Sequence, residues 1–143
     1  RPHPRRTAPI TAMIVIDASA MVEALVGASP SDELLDALTQ QLHAPNLLDV
    51  EVTSVLRGLE LGRVLPRDAA LTGLRDYWDF SIVRHNMEPL TERIWSLRHQ
   101  FTSYDSFYLA LAEALDAPLL TCDRKLTASG HTAHIQLVGR SSQ

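Results

Sequence analysis

The chain has 143 residues, enough for one domain with its own hydrophobic core. Hydrophobic residues make up 45% and charged residues 21%, the balance of an ordinary globular protein, and no apolar run approaches the roughly 20 residues of a membrane helix. The net charge of −4 hides an asymmetry: Arg1, Arg5 and Arg6 precede Met13 without an acid, so ten of the thirteen basic residues face all seventeen acids from there on, a net of about −7, which excludes a general nucleic-acid binder and leaves room only for a local basic rim.

Residues 1–12, with three Pro and no periodicity, read as a disordered extension or a leftover of cloning, which leaves Met13 as a natural start and 13–143 as a single domain. MIVID, residues 13–17, is a short apolar run rich in β-branched residues, the pattern of a strand buried on both faces of a parallel sheet. A helix opens at Ala18 or Ser19 and runs to Val26, where Gly27 ends it. Ser29 or Ser31 caps the next helix, DELLDALTQQL, which carries Asp32 and Glu33 in its first turn. HAP is at most a short strand. A helix from Asn46 or Asp49 to Leu61 takes Gly62 as its C-cap, and Pro66 and Asp68 start another that reaches Tyr77. FSIVRH reads as a strand and Glu88 to Gln100 as a helix with Pro89 in its first turn. Ser103 to Leu115 is helical, PLLTC is a buried strand, and HIQLVG is the last strand. Strands alternating with helices, without a hairpin signal, imply an α/β fold with a parallel sheet of about four or five strands between helices. Ligands of such sheets bind beyond the carboxyl ends of the strands.

Four acids fall where that rule points. Asp17 ends the first strand; it either caps the following helix through the Ser19 or Ala20 amide or serves a ligand. On a helical wheel Glu51 lies within about 40–80° of Leu48, Val55 and Leu59, while Asp49, Glu60 and Arg63 fall about 120–180° away toward solvent. Asp105 lies within about 80° of Leu109, Ala112, Tyr108 and Leu115, on the packed side, and Thr102 or Ser103 already supplies an N-cap. Asp123 follows PLLTC at once, where turn chemistry is the competing reading. Four converging carboxylates repel one another, and a divalent cation removes the conflict. With oxygen ligands only, Mg²⁺ or Mn²⁺ fits better than Zn²⁺, and a phosphate-bearing substrate is implied.

MIVIDASAMVEAL, APNLLDVEVTSVLRGLELGRV and TSYDSFYLALAEALDAPLLTCDRKL resemble, in order and spacing, the three sequence blocks of PIN-domain ribonucleases, and most nearly those of the VapC toxins of prokaryotic toxin–antitoxin pairs. The resemblance covers Met13 to about Val138. It implies a three-layer α/β/α PIN-like domain and matches Asp17, Glu51, Asp105 and Asp123 to the family's acids, as catalytic residues and metal ligands. Ser19 matches a hydroxyl position of the family, with Thr102 and Thr121 as further candidate polar helpers. Implied too are Mg²⁺-dependent, or Mn²⁺-dependent, endonucleolytic cleavage of RNA by a metal-activated water, an antitoxin partner, a homodimer, and operator DNA reached only through the antitoxin complex.

Other chemistries are weaker. There is no Gly-rich phosphate loop. Cys122, the single Cys, excludes an internal disulfide, fits a reducing, cytoplasmic compartment, and reads as an inert thiol. His131 and His134 read as surface residues, and Tyr77, Trp78 and Phe80 as core or dimer packing rather than a base-stacking platform. Arg57, Arg63, Arg84, Arg124 and Lys125 are candidate rim residues for RNA. The competing reading is a noncatalytic module that keeps the fold for interaction or regulation.

Overall fold

The computed structural model describes residues 12–140. Its sheet has five strands, all parallel: β1 (Met13–Ile16), β2 (Gln41–Pro45), β3 (Ile82–His85), β4 (Leu119–Thr121) and β5 (Ile135–Leu137), in the order β3-β2-β1-β4-β5. Among the described residues there are six α-helices: α1 (Ala18–Val26), α2 (Asp32–Ala37), α3 (Leu48–Leu61), α4 (Arg67–Tyr77), α5 (Thr91–Ser96) and α6 (Ser103–Leu115). α1, α3 and α4 pack on one another, while α5 packs on α6, which crosses β1, β2 and β4. This is the expected three-layer α/β/α arrangement. β1 lies in the middle because Ile14, Val15 and Ile16 are apolar toward both faces, and all three are buried.

The strand order reverses at β1, which feeds β2 on one side and lies beside β4 on the other. Loops leaving the carboxyl ends of β1 and β4 therefore diverge and open a crevice, the position where open α/β sheets hold their ligands. Asp17 and Asp123 stand at that crevice by topology alone.

Several elements depart from the sequence reading. The helix expected over DELLDALTQQL stops at Ala37, where the Thr39 hydroxyl and amide both turn back to the Asp36 carbonyl. QLHAP then becomes a full strand, because β2 is paired on both edges and those ladders outweigh helix periodicity. The expected helix from Glu88 to Gln100 is a 3-10 turn over Glu88–Leu90 followed by α5, after which amides reach back three residues rather than four, as Leu97 does to Ile94. Ile94 and Leu97, three residues apart, are both buried. The proposed extension over residues 1–12 lies outside the described residues except for Ala12, whose carbonyl accepts from the Gln41 amide and so already joins the β1–β2 ladder.

Gly62 does cap α3, but with φ −79; the left-handed residue is Arg63, at φ 59. A side chain with a Cβ is strained there. Arg63→Gly should therefore raise the unfolding free energy by about 0.5–1 kcal/mol in urea denaturation. A loss of stability would show that contacts of the Arg63 side chain outweigh the backbone strain.

Candidate metal and phosphate site

Asp17 is both a cap and a site residue. Its Oδ1 accepts the Ala20 amide at 3.0 Å, which starts α1, and the Ser19 hydroxyl at 2.7 Å. Its Oδ2 accepts the hydroxyl of Thr121 at the end of β4. The side chain is buried, 8% exposed, and burial raises its pKa against the opposing hydrogen bonds, with the charge of Asp123 adding to the rise. The Ser19 hydroxyl also accepts the Cys122 amide at 2.9 Å, and Thr121 Oγ1 accepts the Asp123 amide at 2.9 Å. Ser19 and Thr121 thus stitch the ends of β1 and β4 together and fix the Asp17 carboxylate between them. Among the expected helpers, these two contact the acid directly. Thr102 does something else: its hydroxyl accepts the Asp105 amide at 3.1 Å and caps α6.

Glu51, in the first turn of α3, accepts the Tyr108 hydroxyl at 2.7 Å. Burial raises its pKa, and the nearby charges of Asp17 and Asp105 raise it further, opposed by Tyr108 and Lys125. Asp105, in the first turn of α6, has a side chain 19% exposed and lies 3.3 Å from Lys125 Nζ; Asp123 lies 3.4 Å from the same atom. Asp123 also caps the 3-10 turn Arg124–Thr127 through the Lys125 amide, so its turn chemistry and its place in the cluster coexist. The four acids therefore form one electrostatic neighbourhood: Glu51 senses Asp17 and Asp105, Asp17 senses Asp123, and Lys125 bridges Asp105 and Asp123. Among the described residues, however, no three His, Cys, Asp or Glu side chains stand close enough to enclose one ion. A hard cation that keeps several waters and needs one or two carboxylates fits this donor set; a closed all-protein cage does not.

Two partners escaped the sequence reading. Tyr108 sits about 60° from Asp105 on the wheel and was legible only as packing. Lys125 was legible as a rim charge, yet its ammonium lies inside the cluster. Two rim and solvent assignments are corrected. Asp49 is partly exposed but not free: it accepts the Tyr77 hydroxyl and both its oxygens face Arg84 Nε, at 2.9 and 3.1 Å. Arg84 is accordingly committed to Asp49, over the rings of Tyr77 and Trp78, and is no free phosphate ligand. Tyr77 is fully buried, as core packing requires. Val55, expected in the buried stripe, is 39% exposed, while Leu48, expected there too, is buried, and Val52 and Leu56 fill the core beside it. His131 is not a plain surface residue: its Nε2 lies 2.7 Å from the Leu126 carbonyl and its ring meets Phe101 edge-on. Cys122 keeps a pKa raised by burial, as an inert thiol should.

An apolar groove of about 410 Å³ adjoins the site. Val22 and Val26 of α1 and Val55 and Leu59 of α3 line it with Val64, and Ser19, Glu23 and Arg140 add polar and charged groups.

The sequence profile of the PIN domain matches residues 14–130. Ribonuclease VapC1 of Mycobacterium tuberculosis is 41% identical over 128 residues, covering 87% of this chain and 96% of its own length. Ribonuclease VapC9 of the same organism is 37% identical over 118 residues, covering 82% and 91%. Among solved structures, VapBC-5 of M. tuberculosis, a member of the VapBC family of toxin–antitoxin systems, superposes with a TM-score of 0.55 at 19% identity, over 90% of this chain and 98% of that one.

Proposed function

The chain belongs to the PIN domain family, and from that premise we propose that it is a metal-dependent endoribonuclease, the toxin of a type II toxin–antitoxin pair. The observation that carries the reading is the gathering of Asp17, Glu51, Asp105 and Asp123 at the switch point of the sheet, with a cation already lodged between two of them. The names of the VapC relatives supply the substrate class, RNA.

Asp105 and Asp123, with Asp17 and Glu51 behind them, would hold Mg²⁺ or Mn²⁺. When bound, such an ion lowers the pKa of a water and offsets charge growing on a phosphate. The chain's own residues do the rest. Ser19 and Thr121 hold the Asp17 carboxylate in one orientation. Tyr108 does the same for Glu51, itself carried on a helix whose first turn is pinned by the Asp49–Tyr77–Arg84 contacts. A water nucleophile leaves a 5′-phosphate and a 3′-hydroxyl. The groove between α1 and α3 is the surface we assign to the antitoxin: its lining is mostly apolar, with Glu23 and Arg140 also on it, and it includes Ser19, which hydrogen-bonds Asp17, so a peptide laid in it could reach the acids with a basic side chain. The VapBC membership of a structural neighbour supports a partner of that kind. No helix among the described residues is long and apolar enough to cross a membrane.

The test is cleavage of a structured RNA by the purified chain, free of partner, with Mg²⁺. Expected are 5′-phosphorylated products, no cutting in a chelator, and none by Asp105→Ala. Cutting that survives chelation or the Asp105 substitution would refute the assignment.

A further inference from the structure

Lys125 is the only lysine of the chain, and it stands in the wrong place for a rim residue. Its stem rises from the 3-10 turn that Asp123 caps, and its Nζ lies 3.3 Å from Asp105 Oδ2 and 3.4 Å from Asp123 Oδ2. The carboxylates are largely shielded, at 19% and 33% side-chain exposure, while the lysine is 61% exposed. Both separations exceed the roughly 2.7–2.9 Å of a tight charge-assisted hydrogen bond. The ammonium is thus a shared counter-ion on a flexible stem, not a locked structural bridge. Its charge also reaches Glu51.

A divalent ion on the same two Oδ2 atoms would sit about 2.0–2.6 Å from each. It would then press against the ammonium, and two cations cannot share that gap. We propose that Lys125 is a resident counter-ion of the Asp105–Asp123 pair, and that a divalent metal binds there by displacing it. The lysine keeps the two carboxylates facing each other and sets how much metal the protein needs. This rests on the reading of the four acids as a metal site.

Calorimetric titration of the metal-stripped full chain with Mn²⁺ tests it, comparing wild type with Lys125→Met, Lys125→Gln, Lys125→Arg and Arg124→Met. Removing a partly exposed ion pair should tighten Mn²⁺ binding by roughly five- to tenfold in the Met and Gln variants. Lys125→Arg should bind no tighter than wild type. Arg124→Met removes an adjacent positive charge that makes no such bridge, and should stay within about twofold of wild type. In chelator, Lys125→Met and Lys125→Gln should melt below wild type, with the gap closing as Mn²⁺ is added. Equal affinity in wild type and both neutral variants, or an equal gain in Arg124→Met, overturns the displacement while leaving the metal site standing. Absence of Mn²⁺ binding in wild type and both neutral variants overturns the displacement and the metal site together.

Discussion

Asp17→Asn should abolish RNA cleavage, by at least about a thousandfold or roughly 4 kcal/mol of transition-state stabilisation, while leaving the protein as stable as wild type or more so at pH 7. The two outcomes part because Asp17 has two roles. As a helix cap it needs one acceptor at Oδ1 for the Ala20 amide, which an amide oxygen supplies; the amide nitrogen replaces Oδ2 and donates to Thr121 Oγ1, whose own hydroxyl can turn to Ser19 Oγ, 3.3 Å away. As the proposed metal ligand it needs a charge, and that charge is buried, beside Asp123, at a cost that shows in its raised pKa. Asn removes the cost together with the function. Asp17→Ala confounds the two, since it also strips the α1 cap and takes the Asp17 partner from Thr121 Oγ1, worth about 2–3 kcal/mol together. Cleavage rates and urea denaturation on the Asn variant separate the roles. Retained cleavage, or a stability loss as large as that of Ala, would show that the carboxylate is structural.

Glu113→Gln should cost about 2 kcal/mol at pH 7, and the difference from wild type should vanish in acid. Glu113 accepts Arg93 at both oxygens, at 2.7 and 2.9 Å, and also the Thr132 amide and hydroxyl. Arg93 first, then Thr132, hold its pKa at about 2, well below the ordinary 4.5. A depressed carboxylate contributes stability that is complete above the unfolded value and is lost as the pH falls toward the folded one. The window therefore runs from about 4.5 down to about 2. The full shift would be worth about 3 kcal/mol, reduced here because the Arg93 side chain is 40% exposed. Denaturation of both proteins from pH 7 to pH 2 measures it. A difference that does not change with pH would assign the contribution to packing instead of charge. Glu113 anchors the segment that leads into β5, and β5 flanks β4, so acid should loosen the support of Thr121 and with it Asp17.

What could be read in advance divides by the range of the interactions. α6 was legible to the residue, because Thr102 caps it locally and its own apolar arc defines it. The acids were legible because strand ends and helix first turns are local features. The partners of those acids were not. Nothing in the vicinity of Asp49 announces Tyr77 and Arg84, which arrive from 28 and 35 residues away. Nothing near Leu42 announces that it will be zipped between two strands. Lys125 looked like any surface lysine until Asp105, 20 positions earlier in the chain, was placed beside it. Single-residue chemistry was visible in sequence; pairing, which decides protonation and competition, needed the fold.

The bond between Thr121 and Asp17 spans 104 residues. β1 is made first, yet it must wait for β4 before its far edge is paired and its terminal acid is fixed. At typical rates of synthesis that interval lasts roughly 5–20 s. Through all of it the growing chain holds Asp17, and later Glu51 and Asp105, without the strand that locks the first of them in place. On the proposed reading, a centre whose first acid is fixed only by a strand 104 residues further on stays incomplete until that strand has been made.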